Sequence, residues 1–442
     1  MSSSNKINKI KKYLNDSGFT YVPIPNPADC DKIYNLLIKN LMYTCNESSS
    51  MVNFYTGVFH KINKNEELME KSYLLAIGQG NEYAMLNLAC WYRHQEKYDL
   101  MQKYLLMAIK KRNNVAMNEM GLWYQKQNNN PLMLKYYLMA IEQGNSNAMN
   151  NLGVWYKENR KIELMKKYWL MAINQENHVA MYNLAEWYKT QTNSNTLMQK
   201  YYLMAIERGN VNSMYQMGLW YEKCKNDKVA EEYYLMAIEK QHIVAMYSLG
   251  LLYKKQKKFE LMQKYWLMAI ENGDDFAMHD LGLWYDKLKN SFLMKKYYLM
   301  AIEKKNIDAM YNLGKWYFKQ MNYALMQHYW FMAIENDDKN PIPKLIVFYK
   351  NHQDVNGFVS MCHTIMKKWK INNIPDIKIQ IVDCLIFFVN QKKINKEIIS
   401  IIGSIKPDGI TNGSFCLLSE LINVIELVKR TDDDIFGCIK IK

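Results

Sequence analysis

One motif returns along most of the chain at nearly constant spacing, and this regularity constrains the fold more than any other feature. The dipeptide Ala-Ile begins at nine positions that lie 32 residues apart, with a single step of 33: 76, 108, 140, 172, 205, 237, 269, 301 and 333. Eight residues after each alanine comes a version of a second motif, Ala-Met-x-x-Leu-Gly-x-Trp-Tyr, which is complete at 148–156 and 309–317. Such a period is typical of repeat architectures, so the usual estimate of domain number from chain length does not apply.

The apolar residues of each unit predict two helices. In the third copy they recur at helical spacing from about 148 to 157 and again from about 162 to 174. Between units, Gly144 is typical of a helix C-terminus and Asn145 of the N-cap of the next helix. One hairpin of this size cannot bury its own apolar face. We therefore predict an all-α solenoid of about nine to ten stacked hairpins with helical caps at its ends.

The spacing Ala140-x3-Gly144-x3-Ala148-x3-Leu152-Gly153-x2-Tyr156 resembles the Sel1-like repeat, a branch of the tetratricopeptide superfamily. The likeness covers roughly residues 40 to 366. It implies a right-handed α-solenoid in which one face of the first helices lines a concave, partner-binding groove. Methionine stands where tetratricopeptide repeats prefer alanine in the second helix, so the superhelical pitch of the family should not be transferred. The Asn, Lys and Ile bias also resembles giant-virus repeat proteins, more weakly.

The flanks lack the repeat and predict the domain boundaries. Residues 1–40 are interpreted as an N-terminal arm and cap, with a Pro-rich stretch at 18–29. Residues 41–366 form the repeat array, and residues 367–442 a C-terminal helical capping region. Three short helices are predicted in that last region: 377–390, 395–403 and 414–429.

Composition narrows the class of protein. The formal net charge is +14, and the eight cysteines include no Cys-x-x-Cys. The start lacks an apolar signal segment, and the most apolar stretch, 377–389, is too short to span a bilayer. We therefore expect an intracellular, cytoplasmic protein with reduced thiols and no membrane association, in the host cytoplasm if the protein is viral.

The excess of methionine and tyrosine has a structural explanation. The chain has 32 Met and 34 Tyr, and 24 of the methionines fall in three columns of the repeat. Methionine fills irregular gaps in a core, so this is interpreted as packing and not as metal or redox chemistry. The constant Trp-Tyr pair is likewise assigned to packing, and Trp155 is predicted to be a large buried ring.

The candidate binding residues lie in columns that change identity between repeats. Offsets −5, −2, +2 and +5 from the leucine of Leu-Gly share one helical face, which the resemblance places in the groove. The predicted groove residues combine tyrosines at −2 with lysines at +5: Tyr182, Tyr215, Tyr247, Tyr311, Lys157, Lys189 and Lys254. Tyrosine supplies rigid contact area, so we predict a protein or peptide partner with apolar and acidic character. An ordinary solvated face is the alternative. The Lys and Asn pattern of the carboxylate clamp is absent, which argues against a chaperone C-terminal tail.

A second charged column offers a different function. Lysine recurs five residues before the second-helix alanine, with Glu232 and His328 as exceptions: Lys71, Lys103, Lys135, Lys167, Lys200, Lys264 and Lys296. Such a column could follow the phosphates of a nucleic acid. However, residues 61–350 hold only 39 Lys and Arg against 29 Asp and Glu, about one net charge per repeat. Nucleic-acid binding is therefore the alternative function, and a purely structural, self-associating protein is a third.

Catalysis finds no support in the sequence. There is no phosphate-binding loop, no Gly-x-Ser-x-Gly, and no His, Cys, Asp and Glu set with zinc-ligand spacing. We predict no catalytic residue, no cofactor and no metal. The sequence therefore favours a non-enzymatic interaction scaffold or adaptor.

Overall fold

The computed structural model describes residues 3–16, 30–39, 49–369, 375–391 and 396–404. Within these ranges every regular element is an α-helix. Two helices come first: α1 (Ser3–Asp16) and α2 (Cys30–Lys39). Hairpins follow, each with a first and a second helix, and then α23 (Pro375–Asn390) and α24 (Lys396–Ser404). The predicted all-α helical repeat fold is confirmed.

The hairpin helices are regular in length. The first helices are α3 (Ser50–Ile62), α5 (Glu82–His94), α7 (Asn114–Lys126), α9 (Ser146–Glu158), α11 (His178–Lys189), α13 (Val211–Lys223), α15 (Ile243–Lys255), α17 (Asp275–Lys287), α19 (Ile307–Lys319) and α21 (Pro341–His352). The second helices are α4 (Glu66–Gly78), α6 (Tyr98–Lys110), α8 (Asn130–Glu142), α10 (Ile162–Asn174), α12 (Asn195–Glu207), α14 (Asp227–Glu239), α16 (Phe259–Glu271), α18 (Ser291–Glu303), α20 (Tyr323–Glu335) and α22 (Val355–Lys368).

The turn between two repeats satisfies the backbone groups of both helix ends. At the end of α8, Gly144 adopts a left-handed backbone (φ 76°), and the Asn145 amide donates to the Ala140 carbonyl at 3.0 Å. This is the hydrogen bond of a Schellman C-cap. The Asn145 side chain then accepts from the Ala148 amide at 2.8 Å and caps α9. The predicted Gly and Asn caps are confirmed.

The cap asparagines also join one repeat to the one before it. Asn145 donates through Nδ2 to the Asn114 carbonyl at 3.2 Å, and Asn306 donates to Asp275 Oδ2 at 2.8 Å. Asn145 and Asn306 are both buried. An aspartate could supply the acceptor but not this donor, which explains why asparagine dominates the column.

The core of a hairpin is built around an aromatic ring of the second helix. Trp169 on α10 is fully buried, and a Cβ added to Gly153 on α9 would lie 2.4 Å from its Cδ1. Only glycine leaves room for the ring. Leu105 replaces the aromatic residue in α6, and there the glycine position is Ala89. The glycine of Leu-Gly therefore packs against the ring across the hairpin, although Ala185 lies opposite Tyr202. The methionines of the Leu-Met column are buried in the same core: Met69, Met101, Met133, Met165, Met198, Met262, Met294 and Met326.

The constant Trp-Tyr pair of the first helix lies at the margin of this core. Tyr156 stacks on Tyr168 of the second helix, with ring centroids 5.5 Å apart and planes 14° apart. Burial raises the pKa of Tyr168, and the Tyr156 hydroxyl adds to this. Trp155 is only half-buried. The prediction that Trp155 is a large buried ring was wrong, because the buried tryptophans belong to the second helices.

The chain forms two compact units, 1–220 and 221–442, called unit 1 and unit 2 below. In unit 1, Ile10 of α1 and Ile33 of α2 join the core of the first hairpins. In unit 2, Ile381 of α23 and Ile398 of α24 join the core of α21 and α22. The predicted segments 18–29 and 414–429 lie outside the described residues. The three-part division at 1–40, 41–366 and 367–442 stays a prediction.

Candidate partner-binding face

The predicted binding residues lie on the first helices, at offsets −5, −2, +2 and +5 from the leucine of Leu-Gly (Leu152 in α9). We call this surface the first-helix face. The tyrosines of the −2 column are all half-buried: Tyr182 and Tyr215 in unit 1, and Tyr247 and Tyr311 in unit 2. Of the +5 lysines, Lys157 and Lys189 are exposed and Lys254 is half-buried.

In unit 1, two of the predicted residues share a neighbour. Gln216 lies near the Tyr182 hydroxyl, and Lys189 Nζ donates to Gln216 Oε1 at 2.8 Å. Lys189 also lies 3.6 Å from Glu186 Oε1. Burial raises the pKa of Tyr182, so its hydroxyl is neutral at physiological pH. Lys157 makes no side-chain contact of this kind with the described residues.

In unit 2, Tyr247 and Lys254 converge on Asp280. The Tyr247 hydroxyl donates to Asp280 Oδ2 at 3.2 Å, and Lys254 Nζ lies 3.7 Å from the same oxygen. His279 Nδ1 is 3.3 Å from Asp280 Oδ1. Burial would raise the pKa of Asp280, but the hydrogen bond from His279 and the charge of Lys254 hold this pKa below its usual range. Asp280 is therefore a carboxylate that fixes the tyrosine and the lysine around it.

The −2 side chains pair with the −1 side chains of the following repeat. Asn151 Nδ2 donates to Asn118 Oδ1 at 3.0 Å, and Tyr247 pairs with Asp280 in the same register. His279 Nε2 lies 3.0 Å from Asn312 Nδ2. Sequence reasoning treated the −2 column as independent of its neighbours and missed the −1 column. The signal was present, because the −1 column is polar in every repeat although it directly precedes the buried leucine position.

The +5 column depends on the buried aromatic ring beneath it. Where the ring is a tyrosine, an acceptor is present: Tyr137 donates to Gln125 Oε1 at 2.7 Å, and Tyr234 donates to Glu222 Oε2 at 2.8 Å. Where the ring is Trp266, Lys254 Nζ lies 5.0 Å from its centroid. Lys157 and Lys254 thus accompany a tryptophan in the core, whereas Lys189 stands in the hairpin of Tyr202, which donates to Glu186 instead.

Apolar side chains remain exposed on the first-helix face. In the −5 column, Val179 is 38% exposed in unit 1, and Val244 and Phe276 are 47% and 57% exposed in unit 2. Phe276 lies 6.2 Å from Tyr247, centroid to centroid. In each unit, half-buried tyrosines thus adjoin exposed apolar groups.

The lysine column of the second helices is also on the surface. All of its members are exposed. Most of them lie beside the ring of the next tyrosine, at 5.3–5.7 Å from Nζ to centroid: Lys103, Lys135, Lys167, Lys200, Lys264 and Lys296. Exposed leucines stand three residues further along the same helices, among them Leu138 and Leu170, each 41% exposed.

No metal-binding group is found among the residues that the structure describes, where no cluster of three or more His, Cys, Asp or Glu side chains could hold an ion. In that same part of the chain, no helix is both long and apolar enough to cross a bilayer. A cavity of ≈ 600 Å³ in unit 2 is lined by charged residues of α22 and α24, among them His363, Lys367 and Glu397.

The chain is similar to several solved structures, although no family model and no curated protein matches it. A protective antigen of uropathogenic Escherichia coli with an SLR fold is 16% identical, with a TM-score of 0.45, over 100% of this chain and 97% of that chain. A Sel1 repeat protein from Oxalobacter formigenes is 21% identical, with a TM-score of 0.42, over 50% of this chain and 99% of that chain. Human IFIT1, as a dimer with PPP-AAAA, is 14% identical, with a TM-score of 0.39, over 84% of this chain and 91% of that chain. One of these solved structures is a Sel1 repeat protein, the class that the sequence motif resembles.

Proposed function

We propose that the chain is a non-enzymatic interaction scaffold that binds a peptide or protein surface on its first-helix face. The observation that carries the proposal is which side chains surround the half-buried tyrosines. Tyr247 is held by Asp280, and Tyr182 lies near Gln216. Tyr182 is one helical turn from the exposed Val179, and Tyr247 lies beside the exposed Phe276. Rigid aromatic groups beside exposed apolar groups are typical of protein-binding surfaces, because little side-chain entropy is lost on binding.

The charges on this face favour a partner with acidic groups. In unit 1, Lys157 is exposed and has no carboxylate of the described residues within ion-pair distance, whereas Lys189 lies near Glu186. An acidic side chain of the partner could approach Lys157 without displacing an internal contact. Rim charges of this kind chiefly raise the association rate and are screened by salt.

The proposal is tested by capture of partners on the full chain. Tyr182→Ala with Tyr215→Ala in unit 1, and Tyr247→Ala in unit 2, remove the proposed contact area. Affinity purification with mass spectrometry should recover partners on the parent chain and lose them on a tyrosine variant, while the helical circular dichroism is unchanged. The matched control is Leu138→Ala with Leu170→Ala, two exposed side chains of the second helices. Partners that the tyrosine variants still capture, but the leucine variant does not, would place binding on the second helices.

Nucleic acid remains the alternative, and the exposed lysine column gives it a defined test. Exposed leucines beside those lysines would contact phosphates unfavourably, so we expect no binding of single-stranded RNA or duplex DNA at about 50 mM salt. Binding that weakens steeply with added salt, and that is lost on Lys135→Glu with Lys167→Glu, would favour the alternative.

A further inference from the structure

The second helix α18 of unit 2 carries a stripe of exposed charged and apolar side chains. Lys296, Leu299 and Glu303 follow one another at steps of three and four residues, so they share one face of the helix. All three are exposed, and Leu299 is 42% exposed. The buried residues of α18 lie on its other side, in the hairpin core. The stripe is therefore accessible to another molecule.

The neighbouring second helix, α16, has the same stripe. Lys264, Leu267 and Glu271 occupy the equivalent positions and are all exposed. In unit 1, the complete stripes of α8 and α12 are separated by α10, where Asn174 replaces the glutamate. Among the described second helices, only α16 and α18 are neighbours that both have the lysine, the leucine and the glutamate. We call these two stripes together the second-helix patch.

The charges of the second-helix patch are not neutralised within the chain. Lys264 and Lys296 lie beside the rings of the tyrosines that follow them, at 5.3 and 5.4 Å from Nζ to centroid. Neither lysine forms an ion pair with the described residues, and neither do Glu271 and Glu303. The lysine and the glutamate of one stripe are seven residues apart, at opposite ends of the stripe. Both signs of charge are therefore available to a partner.

A stripe with this order of residues is complementary to its own reverse. When the same helix of a second copy lies antiparallel against it, leucine meets leucine at the centre and lysine meets glutamate at each end. A two-fold axis that crosses the helices in the plane of contact produces this arrangement, with α16 on α16 and α18 on α18. The match needs no particular distance between α16 and α18, because both copies have the same distance.

We propose that the second-helix patch binds a second copy of this chain and forms a two-fold symmetric dimer. This goes beyond the proposed function, which uses the first helices. A partner of a single charge sign would attract one end of each stripe and repel the other. An anionic bilayer, for example, attracts the lysines and repels the glutamates. A second copy satisfies both.

The apolar part of the patch supplies the affinity, and the charges supply the orientation. Phe292 lies one turn before Lys296 on the stripe of α18 and is 74% exposed. In the antiparallel pair, Phe292 reaches the C-terminal end of α18 in the second copy and is covered together with Leu267 and Leu299. Removal of this apolar surface from water favours association in any orientation. Exposed ion pairs contribute little affinity, but like charges in contact exclude the wrong arrangements.

The test measures the association of the full chain by sedimentation velocity. The parent chain should sediment as a dimer in the micromolar range. Lys264→Glu with Lys296→Glu gives an acidic variant, and Glu271→Lys with Glu303→Lys gives a basic variant. In each variant every ion pair across the axis becomes a repulsion, so the dissociation constant of the dimer should rise at least about tenfold. All four side chains are exposed, so the helical circular dichroism should not change.

Mixing the two variants provides the sharpest measurement. An acidic chain opposite a basic chain has every ion pair restored with the charges exchanged. The mixture should therefore sediment as a dimer at a concentration at which each variant alone is a monomer. The matched control is Lys135→Glu with Lys167→Glu, which makes the same change in the same lysine column of unit 1. This control should dimerise like the parent chain, and its affinity for the basic variant should not be increased.

A further variant tests the apolar contact without changing any charge. Leu267→Ser with Leu299→Ser should weaken the dimer at least about tenfold, because the two leucines of each copy lie at the centre of the contact. Leu138→Ser with Leu170→Ser, in the same column of unit 1, is the matched control and should have no effect.

Three outcomes overturn the inference. The first is a parent chain that is a monomer throughout the micromolar range. The second is a dimer that both charge variants and the leucine variant of α16 and α18 leave intact, which would place the contact on another surface. The third is binding to vesicles of phosphatidylcholine and phosphatidylserine, without a dimer, that the acidic variant loses and the basic variant strengthens. The tyrosines of the first-helix face are unchanged in all of these chains, so capture of partners tests the scaffold function separately.

Discussion

At the scale of single residues, one side chain in the N-cap column differs from its neighbours in a measurable way. Asp274 accepts from the Ala277 amide at 2.7 Å, as the cap asparagines do, but it has no Nδ2 with which to reach the preceding repeat. Burial raises the pKa of Asp274 above its ordinary value, and the charge of Asp275 adds to this. Asp274→Asn should therefore supply the missing donor and remove a half-buried charge.

We expect Asp274→Asn to increase the free energy of unfolding by about 0.5–1.5 kcal/mol at pH 7, the net worth of one hydrogen bond. Because the folded-state pKa of Asp274 is raised, the protonated carboxyl favours folding, and this contribution is lost as the pH rises through the folded-state pKa. The gain should be small at about pH 3 and full at about pH 7. Urea unfolding across this range measures it. Asn306→Asp, the converse change in the next repeat, should destabilise; a gain there would contradict the explanation.

The backbone of the turns provides a second prediction. Lys305 occupies the turn position that is Gly273 in the preceding repeat, and it has φ 63°. A non-glycine residue in this region costs roughly 1–2 kcal/mol, which the extra freedom of unfolded glycine offsets in part. Lys305→Gly should therefore stabilise the chain by about 0.5–1 kcal/mol in thermal unfolding. Lys305→Ala removes the charge and keeps the strain, so an equal gain from Ala would refute the backbone argument.

The residues that could be predicted from sequence are those whose role is local. The cap function of Asn145 follows from its place after Gly144, because a cap involves only adjacent turns. The pairing of Asn118 with Asn151 spans 33 residues and depends on the relative rotation of two helices. That rotation is set by packing and not by the motif. This is why the columns of the first-helix face could be named while their cross-repeat partners could not.

At the scale of helices, two positions of the hairpin core, one on each helix, must match in side-chain size. Gly153 lies against Trp169, and Ala89 takes the glycine position where Leu105 replaces the ring. Gly153→Ala should cost about 1–3 kcal/mol, because the added methyl group overlaps a fully buried ring. Adding Trp169→Leu should recover part of that loss, since it recreates the combination already present in α5 and α6.

A double-mutant cycle measures the coupling between these two positions. The four chains are the parent, each single variant and the double variant, compared by urea unfolding. If the two substitutions change the free energy of unfolding additively, the ring is not the reason for the glycine. Ala185 opposite Tyr202 shows that a tyrosine can tolerate the methyl group, so Trp169→Tyr should rescue less than leucine but more than nothing.

The aromatic residues that are constant between repeats are not the ones that are most buried. Tyr156 and seven of its equivalents stack on a second-helix tyrosine, yet Tyr156 is only half-buried, as is Trp155 beside it. The rings that fill the core alternate between tyrosine and tryptophan, as at Tyr137 and Trp169, and looked variable. Tyrosine and tryptophan fill the same core position in different repeats, so the identity changes while the packing role does not.

At the scale of the whole chain, a repeat protein should respond to damage locally. Each repeat contacts mainly its neighbours, so its stability is a sum of repeat and interface contributions. Trp169→Ala removes a fully buried ring of unit 1 and should lower the free energy of unfolding by about 3–5 kcal/mol. Trp155→Ala removes a half-buried ring and should lower it by clearly less. Amide hydrogen exchange can report where that loss is felt, helix by helix.

The expected pattern for Trp169→Ala is faster exchange in α9 and α10 and in the adjoining helices α8 and α11. The helices α23 and α24 belong to a separate core in unit 2, and their exchange should be unchanged. Trp155→Ala provides the matched control, since it removes a ring of the same size one helix away and should accelerate the same amides less. Uniform acceleration along the chain would mean that the molecule unfolds as a single cooperative body, and the nearest-neighbour account would then be wrong.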